Sequence, residues 1–299
     1  MELSKEFRIN VAKALLVKRE TFTGSDAAFA KQYDLNGAIF SRIRNGETEK
    51  VVNDSKWLRI ARALDVSVND RKWQVARTKV FATIEEDIDF CQTYSKSKMF
   101  VDDCGIGKTF TAKHLSRTRK NCFYIDASQC KTRHLFTRAL ARLIGVDSNG
   151  KLADVKEDIK YYLNSLPTPM IIIDEAGDLD SKAFLDLKEY WNATEHGCGW
   201  YLMGAEGLRA MIERGVRGKK VGFAEVFSRF SEKYTSVVPV VPEEKQDFFK
   251  QLISDVLRAN CDSLELVKRV MMQALVRNAD GKIGGLRRAE SLLILHSNG

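Results

Sequence analysis

Residues 98–101 read Lys-Met-Phe-Val and run into Asp102-Asp103-Cys104-Gly105-Ile106-Gly107-Lys108-Thr109, with a helix-forming stretch from Phe110 to Arg117 behind them. Strand, glycine-rich turn and helix in that order make a phosphate-binding P-loop. The free N–H groups that open the helix face an anion, and glycines let the backbone curl around it. Cys104, Gly105, Ile106, Gly107, Lys108, Thr109 and Phe110 are therefore the expected nucleotide cradle. Lys108 is placed to reach the β- and γ-phosphates, and Thr109 to hold Mg²⁺. One position departs from G-x-x-x-x-G-K-[ST]: Asp102 stands where glycine is usual. Its side chain must point away from the nucleotide or find a partner.

The segment Pro169-Met-Ile-Ile-Ile-Asp174-Glu175 reads as a buried strand ending in two acids. Asp174 would hold Mg²⁺ through water, and Glu175 would orient or deprotonate the attacking water. Alone, four apolar residues and two acids carry little information. Placed 66 residues after Lys108, with a β-α unit between, they complete a Walker pair. ATP and Mg²⁺ are the expected cofactors, and hydrolysis the expected reaction.

The elements that must position these groups alternate. After the P-loop strand come candidate strands at 121–126, 170–174, 200–203 and 237–241, with helical stretches between them. That alternation predicts an α/β fold with a parallel sheet covered on both faces. A helical tail follows, over 243–260, 263–278 and 285–296. Ahead of the sheet, four short helices are expected. Phe7, Val11, Ala14 and Leu15 share the inner face of the first, and Ser25 or Asp26 caps the second. The third, 37–44, buries Ile39 and Ile43, leaves Phe40 exposed, and stops at Asn45-Gly46. The fourth covers 56–64. Two short helices joined by a tight turn make a helix-turn-helix.

Charge is uneven. Residues 1–80 hold 16 Lys/Arg against 10 Asp/Glu, so they carry +6 of the net +8. A basic front module on a near-neutral body suits a polyanionic partner. Arg42 and Arg44 on the third helix are the candidates for DNA contact there. The six cysteines and four histidines are scattered without ligand spacing, which disfavours zinc sites and disulfide frameworks. Buried free thiols are expected. No leader and no apolar run of membrane-spanning length is evident, so no membrane partner is expected.

The run A-F-A-K-Q-Y-D-L-N-G-A-I-F-S-R-I-R-N-G-E resembles phage-repressor helix-turn-helix domains. The five strands and helical tail resemble the AAA+ core and its C-terminal lid. That resemblance implies a sensor strand at Leu202-Met203-Gly204-Ala205, where alanine stands in place of the usual polar residue. It makes Arg229, in Phe227-Ser228-Arg229-Phe230, an arginine finger acting on a neighbour's ATP. It makes Arg287, in Gly284-Gly285-Leu286-Arg287, the lid arginine facing its own subunit's nucleotide. The expected division is a helix-turn-helix domain over 1–70, a linker over 71–83, the ATPase core over 84–242 and the lid over 243–299.

In its order of parts the chain resembles the phage Mu type of transposition target-selection ATPase. That implies an ATP-dependent, sequence-tolerant protein in the bacterial host cytoplasm that binds duplex DNA. It would assemble into a homo-oligomer or filament and stimulate a transposase. Lys131 and Arg133, and a basic loop with Arg214, Arg217, Lys219 and Lys220, are its candidate phosphate contacts. A transcriptional regulator and a helicase loader are the alternatives.

Overall fold

The computed structural model describes residues 3–22, 24–64, 66–67, 73–278, 281 and 283–297. Thr23, just ahead of the second helix, and residues 71–72, expected to open the linker, lie outside the described residues.

The front of the chain folds as four helices: α1 (Lys5–Glu20), α2 (Asp26–Gln32), α3 (Gly37–Arg44) and α4 (Asp54–Ala63). Ser4, Ser25, Asn36 and Asn53 each accept a backbone N–H of the turn they precede. Such caps satisfy donors the helix cannot, at about 1 kcal/mol each. Leu15, Phe29, Phe40, Ile43 and Trp57 form a separate small core. Phe40 is buried rather than exposed, edge-on to Phe29 at 5.4 Å. Ile39 is only half-buried. In so short a helix, Phe40 and Ile43 three positions apart already define the inner face.

A stretch without regular structure, 73–78, leads into α5 (Lys79–Tyr94), so the last part of the expected linker is helical. The sheet follows as β1 (Ser97–Val101), α6 (Lys108–Thr118), β2 (Cys122–Asp126), α7 (Arg133–Ile144), α8 (Leu152–Ser165), β3 (Met170–Asp174), α9 (Ser181–Ala193), β4 (Gly199–Gly204), α10 (Glu206–Arg217), α11 (Phe223–Arg229) and β5 (Tyr234–Thr235). Two helices, not one, separate β2 from β3. All pairings are parallel, in the order β2-β3-β4-β1-β5. β3 and β4 are buried along their whole length, as strands covered on both faces must be. One core lies between the sheet and α7–α11, and another between the sheet, α5, α6 and the lid.

The fifth strand corrects an expectation. It is two residues long, at 234–235, and 237–241 is not a strand. The Asp102 carboxylate takes the Val237 and Val238 N–H groups at 2.6 and 3.1 Å, and with them the donors a ladder would use. The lid is α12 (Pro242–Asn260), α13 (Leu264–Ala274) and α14 (Leu286–Ser297), packed around Leu257, Val270 and Leu293. Among the described residues no helix is long and apolar enough to cross a membrane.

Candidate nucleotide site

Because β4 stands between β1 and β3, the ends of the two Walker strands open on a common crevice. Gly105 and Gly107 adopt positive φ of 74° and 98°, a backbone that suits only glycine, and α6 starts at Lys108 with no side chain capping it. Its first N–H groups thus stay available to an anion. The Lys108 ammonium donates to the Asp102 and Asp103 carbonyls at 2.5 and 2.8 Å. Burial pulls its pKa below the ordinary lysine value, against the opposing pull of Cys104 and the nearby carboxylates. A triphosphate would supply the counter-charge that this buried cation lacks.

The Thr109 hydroxyl donates to Asp174 Oδ2 at 2.6 Å, and the Tyr124 hydroxyl donates to the same oxygen at 3.1 Å. Hard oxygens converging in this way fit Mg²⁺. Thr109 and Asp174 would hold the ion, and Tyr124 fixes the carboxylate that faces it. Glu175 follows in a left-handed conformation, φ 49°, which turns it off the strand line and into the crevice. Burial, and then the Asp174 carboxylate, raise its pKa above the ordinary range. Bound there, Mg²⁺ would neutralise charge on the transferred phosphoryl group, and Glu175, once ionised, would be placed to accept the proton of the attacking water.

The crevice is a cavity of about 400 Å³. The P-loop forms its polar end; Trp73, Phe81, Val256 and Leu286 give it an apolar end sized for a base. Reading the sequence missed Trp73, Tyr124, Val256 and Glu290. The segment 73–78 is zipped to the lid: Trp73 Nε1 donates to Glu290 Oε1 at 3.0 Å, and the Gln74 N–H to Asn260 Oδ1 at 2.7 Å. No periodicity marks an irregular stretch of this kind; its tryptophan was the only signal.

Arg287 lines the cavity at the start of α14. The Leu286 N–H donates to the Gly105 carbonyl at 2.8 Å, so the lid closes directly on the P-loop. A Cβ at Gly285 would sit 2.7 Å from that carbonyl oxygen, which gives Gly285 its physical reason. Arg229 lies elsewhere. At the end of α11 it bonds Asn192 Oδ1 at 2.7 Å, sits over the Trp191 ring, and does not line the cavity. Ala205 stands just after β4, where it offers no side-chain polar group.

The candidate phosphate contacts are dispersed. Arg42 pairs with Glu47, Arg44 with Asp26, Lys131 with Asp178 and Arg133 with the buried Asp186. The basic loop proves to be mostly helix. α10 continues through Arg217 because Gly215 lies under Phe223, which leaves Lys219 and Lys220 in the turn. Arg217 pairs with Glu213 on the same helix, while Arg214, Lys219 and Lys220 are exposed and form no ion pair with a described residue. All six cysteines are free, but Cys104 is exposed at the P-loop and Cys261 is only half-buried.

Residues 101–212, from β1 to α10, match the family model of the AAA domain. The fold is that of an AAA+ P-loop NTPase. The matched segment is thus an ATPase domain of the type that uses ATP and Mg²⁺, with an all-helical region ahead of the core and a helical lid behind it. No curated protein matches it. Among solved structures it is similar to the ORC1 protein of Aeropyrum pernix in complex with DNA, at a TM-score of 0.52 and 14% identity. That match covers 76% of this chain, which spans 62% of the length of the ORC1 chain. NtrX from Brucella abortus also aligns, in complex with ATP, at a TM-score of 0.41 and 15% identity over 97% of this chain and 71% of its own.

Proposed function

We propose that this AAA+ ATPase works on duplex DNA as an ATP-dependent assembly of identical copies. The observation that carries the reading is the division of the arginines. Arg287 lines the chain's own cavity, while Arg229 is held outside it on α9, where a neighbour's nucleotide is the phosphate it can serve. A site completed at an interface ties hydrolysis to assembly. DNA contact is assigned to the outer face of α3, with Arg42 and Arg44, and to Lys131, Arg133, Arg214, Arg217, Lys219 and Lys220 on the core. The basic balance of the front module supports the first assignment, as does the ORC1 structure, a protein of this fold bound to DNA.

The finer reading is transposition target selection, in which sequence-tolerant filaments stimulate a transposase. The order helix-turn-helix module, AAA+ core and lid supports it. A different observation favours a regulator that reads one DNA sequence and uses ATP as its switch. Arg42 and Arg44 are each preset by an ion pair, which suits base edges better than mobile phosphate clamping. Binding to random-sequence duplex with and without ATP, followed by negative-stain imaging, separates the two. ATP-dependent filaments on any sequence support target selection. Binding to one defined sequence makes the protein a regulator, and preference for single strands makes it a helicase loader.

A further inference from the structure

Glu290 brings a carboxylate to the apolar, base-accepting end of the nucleotide cavity. Its Oε1 accepts the Trp73 Nε1–H at 3.0 Å, and Trp73 itself packs against the lid core. Next to it the Gln74 N–H donates to Asn260 Oδ1 at 2.7 Å, and Asn260 Nδ2 donates back to the Gln74 carbonyl at 3.2 Å. The stretch 73–78 is thus tied to α12 and to α14. The carboxylate it meets is half-buried and fixed in direction.

The other polar side chains at that end are spent or indifferent. The Trp73 N–H is engaged by Glu290, and the Thr78 hydroxyl accepts the Phe81 N–H as the cap of α5. Gln74 is exposed, and an amide presents a donor or an acceptor equally well. An ionised carboxylate only accepts. Adenine carries an amino group at position 6, whereas guanine and hypoxanthine carry a carbonyl oxygen there. A fixed acceptor is satisfied by the amino group and faces lone pairs on the carbonyl. Guanine's N1–H and 2-amino group ask for two carboxylate oxygens side by side, and Oε1 is already engaged by the indole.

We infer that Glu290 is the specificity-determining residue for the base: its carboxylate, held by Trp73, accepts the 6-amino group of adenine and rejects 6-oxopurines. The inference rests on the nucleotide site and is independent of any action on DNA. It also gives the Trp73–Glu290 bond a role beyond closing the lid, because the bond aims the group that reads the base.

The test titrates the full chain, with Mg²⁺, against ATP, ITP, GTP and purine riboside triphosphate, which carries only hydrogen at position 6. The parent should bind ATP about tenfold or more tighter than purine riboside triphosphate, with ITP and GTP weaker still. Glu290→Ala should bind ATP and purine riboside triphosphate alike. Glu290→Gln keeps an oxygen for Trp73 and gains an NH₂ that can meet a 6-carbonyl, so ITP should come within several-fold of ATP. Trp73→Phe keeps the ring, frees the carboxylate and should narrow the same ratios. Damage to packing alone lowers all four affinities together, so the ratios report the base contact, and the isosteric glutamine carries the test if the alanine variant folds poorly. A parent chain that binds purine riboside triphosphate as tightly as ATP overturns the inference. So do ratios unmoved in Glu290→Gln. Tighter binding of GTP than of ATP overturns it as well, and turns the carboxylate toward the N1–H and 2-amino edge of guanine.

Discussion

Restoring the P-loop consensus with Asp102→Gly should weaken this protein. The Asp102 carboxylate accepts the Val237, Val238 and Asp103 N–H groups at 2.6, 3.1 and 2.8 Å. Hydrogen bonds to a charged group contribute about 1.5–3 kcal/mol each when buried. Asp102 is half-exposed, so water recovers part of that, and the two long-range bonds together are assigned about 2 kcal/mol. Glycine adds about 0.5–1 kcal/mol of backbone entropy lost on folding. The sum, about 2–3 kcal/mol, corresponds to a fall of roughly 5–10 °C in the melting temperature of a domain of this size. Differential scanning calorimetry of the nucleotide-free chain reads it in the transition of the ATPase core. Asp102→Asn keeps one acceptor oxygen and should fall between. ATP affinity, measured with a fluorescent analogue, should drop in the glycine variant, because residues 237–241 lead into α12 and fix the lid. A glycine variant that melts no lower than the parent and binds ATP more tightly would refute this account of Asp102.

Glu175→Gln should keep ATP affinity and lower the hydrolysis rate by about 10²–10⁴-fold, read as phosphate release. Retention of more than a tenth of the rate would remove Glu175 as the base. Its pKa is raised by burial and by Asp174, and it works ionised. kcat/KM should therefore fall on acidification at a pH above that of an ordinary glutamate; an acid limb at or below that pH would contradict the assignment. Arg229→Ala should cost about 10³-fold in hydrolysis with ATP affinity intact. Mixing it with the Lys108→Ala chain should restore part of the rate, since each copy supplies what the other lacks; no rescue would place Arg229 outside the site in trans. Gly285→Ala forces a Cβ against the Gly105 carbonyl and should weaken ATP binding several-fold with the melting temperature of the lid lowered, a result calorimetry and analogue titration read together.

Much of the fold was legible because its signals are local. Glycine-rich turn, lysine and apolar strands announce themselves by type and spacing, and Asn36 and Asn53 mark helix starts by capping chemistry. What failed depends on residues distant in sequence. Nothing within 237–241 says that its N–H groups are taken by a side chain at 102. The valine run there reads as strand because pattern reports burial, not hydrogen-bond partners. Phe40 was misplaced because an eight-residue helix has two turns, too few for periodicity to fix its phase. Of the site, the phosphate and metal end was readable and the base end was not. Trp73 reaches the cavity only because Glu290 and Asn260, more than 180 residues on, hold its strand of chain in place.

That closure over long distances bears on how the nucleotide is sensed. Lys108 bonds the Asp102 and Asp103 carbonyls, and the next turn of the same loop offers the Gly105 carbonyl to Leu286. Lys245 of α12 pairs with Asp103 at 2.6 Å on the other side. An anion that draws the Lys108 ammonium away from those carbonyls must act on the turn of chain to which both lid contacts are fastened. The lid carries Arg287, so an arginine that lines the cavity is coupled to the loop that forms its polar end. α6 continues the same path in the other direction, about 12 Å from Lys108 to Ser116, whose carbonyl meets Lys18 of the front module. A stiff helix with the P-loop at one end and the four-helix module at the other gives ATP a physical route to that module.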